Sequence, residues 1–380
     1  MGIKILITGD YCPIGRNESI IREGKGISIF GGFDSYTDQA DLSISNLEAP
    51  LTKTNNPKNK SGPNIKAPEG FLKPLKEIGF DIVTLANNHI LDYGEEGLKS
   101  TIKTCNNEGV KYVGAGKNLE EARKPLIIDI KGRKIALINI AENEFCSATM
   151  ESYGANSLNL ITNHYDIKKA KKESDFVLVI SHGGREHYQL PTPQLRERYR
   201  FFIDSGADAV IGHHTHCFSG YEHYTSKPIF YSLGNFIFDY KKKYRRGLWT
   251  QGYGVLLKIS DNNIDFDLIP FNQGREECPR LQLLNDEERA VFNLKIRELN
   301  AIISSDKLFE AAWRNYIKTQ DKTYKASLFM QNRFLRALVS RGLLPEFYFH
   351  SKKHKTLLLN LFRCETHREI MIDILSKKYG

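Results

Sequence analysis

The sequence predicts a layered α/β fold followed by a helical C-terminal region. Three observations point there: short β-branched apolar runs recur through residues 3–270, helix-like segments lie between them, and the texture changes after Pro270. The first run, IKILITG at 3–9, ends in Gly-Asp, and similar runs stand at 82–85, 126–130, 134–140, 176–180, 208–211 and 228–232. Runs of this length read as buried strands. Segments 68–79, 94–109, 165–174 and 193–206 read as the intervening helices. The joins EIGFDIVTL, NEGVKYVG and DSGADAVIG each place a glycine where a helix ends and a strand begins. Hairpins are predicted at 126–140, around Lys131-Gly132-Arg133-Lys134, and at 252–269, around Asp261-Asn262-Asn263. Segment 52–66 (TKTNNPKNKSGPNIK) is polar, basic and broken by Pro and Gly, which predicts an exposed loop. Beyond Pro270, residues 284–303, 306–319, 325–342 and 355–378 carry apolar side chains at helical spacing. The division falls near 271–283 and gives two units, 1–273 and 280–380.

Composition narrows the function. Hydrophobic residues make 41% and charged residues 26% of the 380, which excludes a disordered chain and a multi-span membrane protein. The apolar run in MGIKILITGD is too short for a signal-peptide core, and no stretch approaches the roughly 18 apolar residues of a membrane span. A cytoplasmic chain is expected. Six scattered cysteines with no CxxC pair argue against a zinc ribbon and a disulfide framework. The net charge of +9 is concentrated: residues 271–380 hold 20 Lys and Arg against 13 Asp and Glu. A basic tail of this kind attracts phosphates, anionic lipid or an acidic polymer, although a solvated helix face has the same composition.

Chemistry-bearing side chains follow the apolar runs. Asp10 stands in ITGDYC, Glu48 in SNLEAP, Asn88 and His89 in LANNHILDYG, His182 in ISHGG, and His214 and His216 in IGHHTHCF. In open α/β sheets such groups gather at the carboxyl ends of strands. Six of the 11 histidines fall within residues 182–223. Taken singly, a strand-end histidine is ordinarily a surface residue and Asn-His an ordinary turn dipeptide. Their recurrence after five apolar runs points to a metal, and mixed oxygen and imidazole donors suit divalent Mn, Fe or Zn. Arg16, just past Asp10, is placed to grip a phosphate or carboxylate, and Asn235 in SLGNFIFD to line the same pocket. Glu142 and Glu144 also stand at a strand end, while His187 and His213 read as supporting residues.

The order GD, NLE, LANNHILDYG, SHGG, GHHTH, YSLGNFIFD resembles the bacterial capsule-synthesis CapA family, also called the poly-γ-glutamate synthesis PgsA type, within the calcineurin-like metallophosphoesterases. The resemblance covers about residues 3–270. It implies a four-layered α/β/β/α sandwich, here with a C-terminal helical extension, and a site for two divalent metal ions. On this resemblance Asp10 and His216 would hold the first metal, Glu48 would bridge, and Asn88, His182 and His214 would hold the second. His89 would protonate the leaving oxygen or steady the phosphoryl group, with Asp92 orienting its ring. One departure stands out: where the superfamily commonly has Asp-x-His, this chain has Asp10-Tyr11-Cys12. The first metal is then one histidine short unless Cys12 serves as a thiolate.

Three functions follow as expectations. The first is a metal-dependent hydrolase of phosphoester type, acting on an anionic polymer or its phosphorylated precursor in capsule or poly-γ-glutamate synthesis. The second is a non-catalytic assembly factor that meets the synthesis machinery or the inner membrane face through its basic C-terminal region. The third, a metal-dependent nuclease, is disfavoured because no nucleic-acid recognition motif is visible.

Overall fold

The computed structural model describes residues 2–261, 263–328, 343 and 351–375. In chain order the first part lays down β1 (Ile3–Tyr11), α1 (Arg16–Arg22), α2 (Asp34–Thr37), β2 (Leu42–Leu47), α3 (Lys73–Glu77), β3 (Ile82–Thr84), α4 (Gly94–Glu108) and β4 (Lys111–Val113). There follow β5 (Ala115–Gly116), α5 (Leu119–Arg123), β6 (Leu126–Ile130), β7 (Arg133–Ala141), β8 (Gly154–Ala155), α6 (Leu160–Glu173), β9 (Phe176–His182), α7 (Pro193–Asp204) and β10 (Ala209–His213). The remainder comprises β11 (Tyr221–Tyr224), β12 (Lys227–Phe230), β13 (Asn235–Ile237), β14 (Gln251–Ser260), β15 (Asn263–Asn272), β16 (Gln282–Leu283), α8 (Asp286–Ser304), α9 (Asp306–Leu328), α10 (Lys352–Arg363) and α11 (Glu365–Leu375).

Two large sheets result. One runs β16-β15-β14-β1-β2-β3-β4, with β13 paired to the end of β1, and the other runs β11-β12-β10-β9-β7-β6. Strands β1 to β4 are parallel, as are β7, β9 and β10, so their carboxyl ends share a rim. Side-chain alternation fixes how the sheets stack. Ile3, Ile5 and Ile7 of β1 and Val255 and Leu257 of β14 share one apolar cluster with Leu137, Leu178 and Val210 of the second sheet. Leu6, Val83 and Leu256 point the opposite way, into a cluster with Ile21, Leu75 and Leu98 of the covering helices. Ile167 of α6 and Phe202 of α7 cover the far face of the second sheet. The layers are therefore α/β/β/α, the architecture the family resemblance implies. Each fully buried Leu, Ile or Phe in these clusters contributes about 1.5–3 kcal/mol. β9 is buried at every position because both faces of its sheet are covered, which is why it reads as an unbroken apolar run.

Local signals hold where the chemistry is local. Gly79, Gly109 and Gly206 at the three helix–strand joins take φ of 97°, 64° and 120°. The β6–β7 hairpin turns on Lys131 and Gly132 at φ 53° and 79°, and the β14–β15 hairpin begins at Asp261, φ 47°. Differences have specific causes. The helix expected at 165–174 starts at Leu160 because Asn159 caps it, accepting from the Thr162 amide. The helix expected over 355–378 is two, α10 and α11, broken where Cys364 takes extended backbone at φ −68°, ψ 123°. The helix expected over 325–342 lies beyond Leu328 outside the described residues. Segment 52–66 lacks regular structure and is largely exposed, as expected, but it is anchored: Thr52 and Ile65 are buried, and the Lys60 side chain is only 3% exposed. Among the described residues no helix is long and apolar enough to cross a membrane.

Candidate metal centre

The rim of the two sheets brings the predicted ligands together. β1 bulges between Thr8 and Asp10, where a Cβ on Gly9 would stand 1.8 Å from the Gly234 carbonyl oxygen. The bulge turns Asp10 inward, and Asn46 Nδ2 donates to its Oδ1 at 2.7 Å. Glu48 follows β2, its amide bonded to the Tyr11 carbonyl at 3.0 Å. His182 ends β9, and His214 and His216 follow β10 on a turn that forces φ of 90° and 55° on them. Side chains with a Cβ adopt that region at a cost of about 1–2 kcal/mol each, and such strain concentrates at functional sites.

The distances define two overlapping groups. Asp10, Glu48 and His216 form one; Glu48, His182 and His214 form the other, all with ligand atoms within 4.8 Å of one another. Glu48 Oε1 is 3.7 Å from both His182 Nε2 and His216 Nε2, and Asp10 Oδ2 is 3.6 Å from His216 Nδ1. Asn88 Oδ1 reaches His182 Nε2 at 3.0 Å, and His214 Nδ1 stands 3.1 Å from the same nitrogen. Asp10 Oδ2 and both Glu48 carboxylate oxygens are buried with no hydrogen-bond partner. Buried carboxylate oxygens are ordinarily satisfied, so these call for a cation. The charge balance agrees. Burial, then Asp10, pushes the Glu48 carboxyl well above its usual range, while burial, then the neighbouring imidazoles led by His214, pushes His182 well below its own. Oxygen and imidazole donors of this kind fit a divalent transition metal.

His89 and Asp92 stand beside this set. His89 Nδ1 is 2.6 Å from Asp92 Oδ2, which leaves Nε2 facing Glu48 Oε1 at 3.9 Å. Asp92 also pairs with the buried Lys60 ammonium. Burial, and then Lys60, holds the His89 imidazole down at about 4. A cavity of about 230 Å3 opens onto Asn88, His89, His214 and His216. Lys60, Glu144, Arg185 and Glu186 line it, with Tyr244 and Trp249. Trp249 lies 4.5 Å, ring to ring, from His216 and from Tyr244, and His187 stacks on Tyr244. Burial raises Glu144 to about 8; in Glu186, burial is outweighed by His216 and His214, which bring it to about 2.

Two expected substrate contacts are corrected. Arg16 stands outside the cavity lining: its guanidinium pairs with the buried Asp239 carboxylate at 2.9 Å and donates to the carbonyls of Gly274, Arg275 and Glu276. Asn235 does not line the cavity; its Oδ1 lies 2.9 Å from His216 Nδ1 and its Nδ2 donates to the Trp249 carbonyl, so it orients the imidazole. Cys12 packs in the helix-side core, where burial, then Glu48, Asp10 and Asp92, pushes its thiol up. Glu142 turns away to Arg198 at 2.8 Å, and His213 stays in the strand beside His182. Lys60, Arg185, Glu186 and Trp249 escaped the sequence reading. Arg185 and Glu186 directly follow SHGG, which is a usable signal; Lys60 has none, because its loop composition matches that of solvated loops.

The profile of a family described as bacterial capsule synthesis protein PGA_cap matches residues 4–240. A capsule biosynthesis protein CapA of Bacillus anthracis is 34% identical over 220 residues, 56% of this chain and 54% of that protein. A PGA biosynthesis protein CapA of Bacillus subtilis strain 168 is 33% identical over 235 residues, 60% of this chain and 61% of that protein. The chain thus spans little more than half the length of these curated relatives. Among solved structures, a 5′-nucleotidase precursor from Thermus thermophilus is similar with TM-score 0.47 and 12% identity, over 74% of this chain and 56% of that one.

Proposed function

The chain belongs to the bacterial capsule synthesis protein PGA_cap family, and from that premise we propose that it is a metal-dependent hydrolase of phosphoester type serving capsule or poly-γ-glutamate synthesis. One observation carries the reading: buried, partnerless oxygens of Asp10 and Glu48 lie among the imidazoles of His182, His214 and His216, the last two of which line a polar cavity. Asp10, Glu48 and His216 would hold one divalent cation, and Glu48, Asn88, His182 and His214 a second, drawn from Mn, Fe or Zn. Cations held there supply charge neutralisation for a phosphoryl group and activation of water. The rest falls to the chain's own side chains. Asp92 fixes the His89 ring through Nδ1 and leaves Nε2 turned toward Glu48, so that His89 would take up a proton at Nε2 before serving the leaving oxygen of a phosphoester. Arg185 brings a guanidinium to the cavity wall, a group suited to a phosphate or carboxylate of the substrate, beside Glu144 and Glu186. The names of the two Bacillus relatives support a substrate drawn from surface-polymer synthesis.

The test is metal content by elemental analysis together with hydrolysis of p-nitrophenyl phosphate and bis(p-nitrophenyl) phosphate in Mn2+. Asp10→Ala and His214→Ala should each lose metal and reduce turnover at least about a hundredfold. Retention of both metal and turnover in either variant would remove the assignment.

A second reading has one observation in its favour. With Cys12 a buried thiol, the first group offers only Asp10, Glu48 and His216. A site that loads weakly would suit an accessory role, in which exposed basic residues of α10, such as Lys352, Lys353 and Lys355, meet a synthase or the inner membrane face. Binding of one metal without turnover would favour this reading.

A further inference from the structure

The family match ends at residue 240, yet the cavity does not: Asn360 of α10 and His367 of α11 line it with Lys60, Glu144 and Arg185. These helices are bonded to the loops that carry the site. Glu142, one residue past β7, accepts from Thr366 Oγ1 at 2.8 Å and from Cys364 Sγ at 3.4 Å. Asn143 donates to the Glu365 carboxylate from its amide at 3.0 Å and from Nδ2 at 2.7 Å. At the N-terminus of α7, the Gln194 amide donates to Glu369 Oε1 at 2.7 Å, and the capping Thr192 donates its hydroxyl to the other oxygen. On α10, Thr356 and Asn360 stand four residues apart and so share a face. That face meets the Lys60 loop, where Asn59 Nδ2 donates to Thr356 Oγ1 at 3.3 Å.

One group in this joint is unsatisfied. Asn360 is 7% exposed and its Oδ1 is buried without a hydrogen-bond partner. A carboxamide left unpaired in a buried position is costly, and such groups are kept where something binds.

We propose that Asn360 and His367 are specificity-determining residues: they contact the part of the substrate beyond the bond that is cut, and the Asn360 carboxamide hydrogen-bonds a hydroxyl or amide group there. The proposal rests on the hydrolase reading above and names what that reading leaves open, the chemistry of the leaving group. A polyol or amide-bearing leaving group fits; a plain alkyl or aryl group leaves the carboxamide unpaired.

The probes are glycerol 1-phosphate, propyl phosphate and inorganic phosphate, titrated calorimetrically into the full chain in Mn2+. Glycerol 1-phosphate should bind about tenfold more tightly than propyl phosphate, the worth of one net hydrogen bond. Asn360→Leu should abolish that difference while Mn2+ stoichiometry and affinity for inorganic phosphate stay unchanged. If inorganic phosphate binds but the wild type shows no preference, or the preference survives in Asn360→Leu, this proposal fails and the hydrolase reading stands. If neither Mn2+ nor inorganic phosphate binds, both fall together. Hydrogen exchange on the wild type decides the matter without a variant. Glycerol 1-phosphate should slow exchange across 356–370 more than inorganic phosphate does, and equal protection by the two would overturn the proposal.

Discussion

At the scale of single residues, the site depends on buried charges that need one another. Lys60 and Asp92 are 3% and 0% exposed at their side chains, and no solvent compensates either when the other is removed. Lys60→Met should cost about 3 kcal/mol in urea denaturation, because it leaves the buried Asp92 carboxylate without its counter-charge. Adding Asp92→Asn should recover most of that loss; a double variant no more stable than the single one would show that the pair does not act as a unit. The sequence reveals one side of this arrangement and hides the other. Asp10, His182, His214 and His216 are legible because each follows an apolar run whose strand end must reach the common rim, whereas Glu48 is legible only through the NLE motif of the family resemblance. Lys60 is invisible because a lysine among Asn, Pro, Ser and Gly has the composition of a solvated loop. Arg16 misleads for the same reason: its closeness to Asp10 in sequence is plain, whereas its partner Asp239 lies 223 residues away.

At the scale of elements, the geometry of one strand decides whether the ligands meet. The bulge in β1 exists because Gly9 lets the backbone of Gly234 approach where a Cβ would collide. Gly9→Ala should part β1 from β13, turn Asp10 out of the site and cost about 1–3 kcal/mol. Metal stoichiometry and a melting curve check it, with Gly70→Ala as the reference, since a Cβ at Gly70 meets nothing within 4 Å. Normal metal loading in Gly9→Ala would contradict this account. Periodicity shows β1, β7 and β9 as apolar runs because they are buried on both faces. It passes over β2, LSISNL, although that strand is equally buried. Its serines are satisfied inside the sheet, as where the Ser45 hydroxyl meets Thr8 and the Gly9 carbonyl, and nothing in composition announces a satisfied serine.

At the scale of the whole molecule, the C-terminal helices tie the stability of the chain to pH. Burial raises Glu369 from an ordinary carboxyl value to about 7, against the hydrogen bonds from Thr192 and Gln194 that lower it. Its proton is therefore held more tightly in the folded chain than in the unfolded one. The stabilisation from that proton is complete below pH 4.5 and is lost as pH rises through 7. Glu369→Gln should remove this dependence: the stability difference between variant and wild type should change by on the order of 3 kcal/mol from pH 4.5 to pH 8. A difference constant across that range would place the shift elsewhere. This coupling is unreadable in the sequence, because Glu369 and Thr192 meet only once the chain has folded back across 177 residues. The aromatic contacts have a spectroscopic consequence. The chain has two tryptophans; Trp249 lies against His216, and Trp313 is enclosed by α9 and α11, donating to Asp373 at 2.6 Å. Its intrinsic fluorescence therefore has two emitters, one beside the ligand set and one inside the helical clasp, and replacing either with phenylalanine isolates the signal of the other.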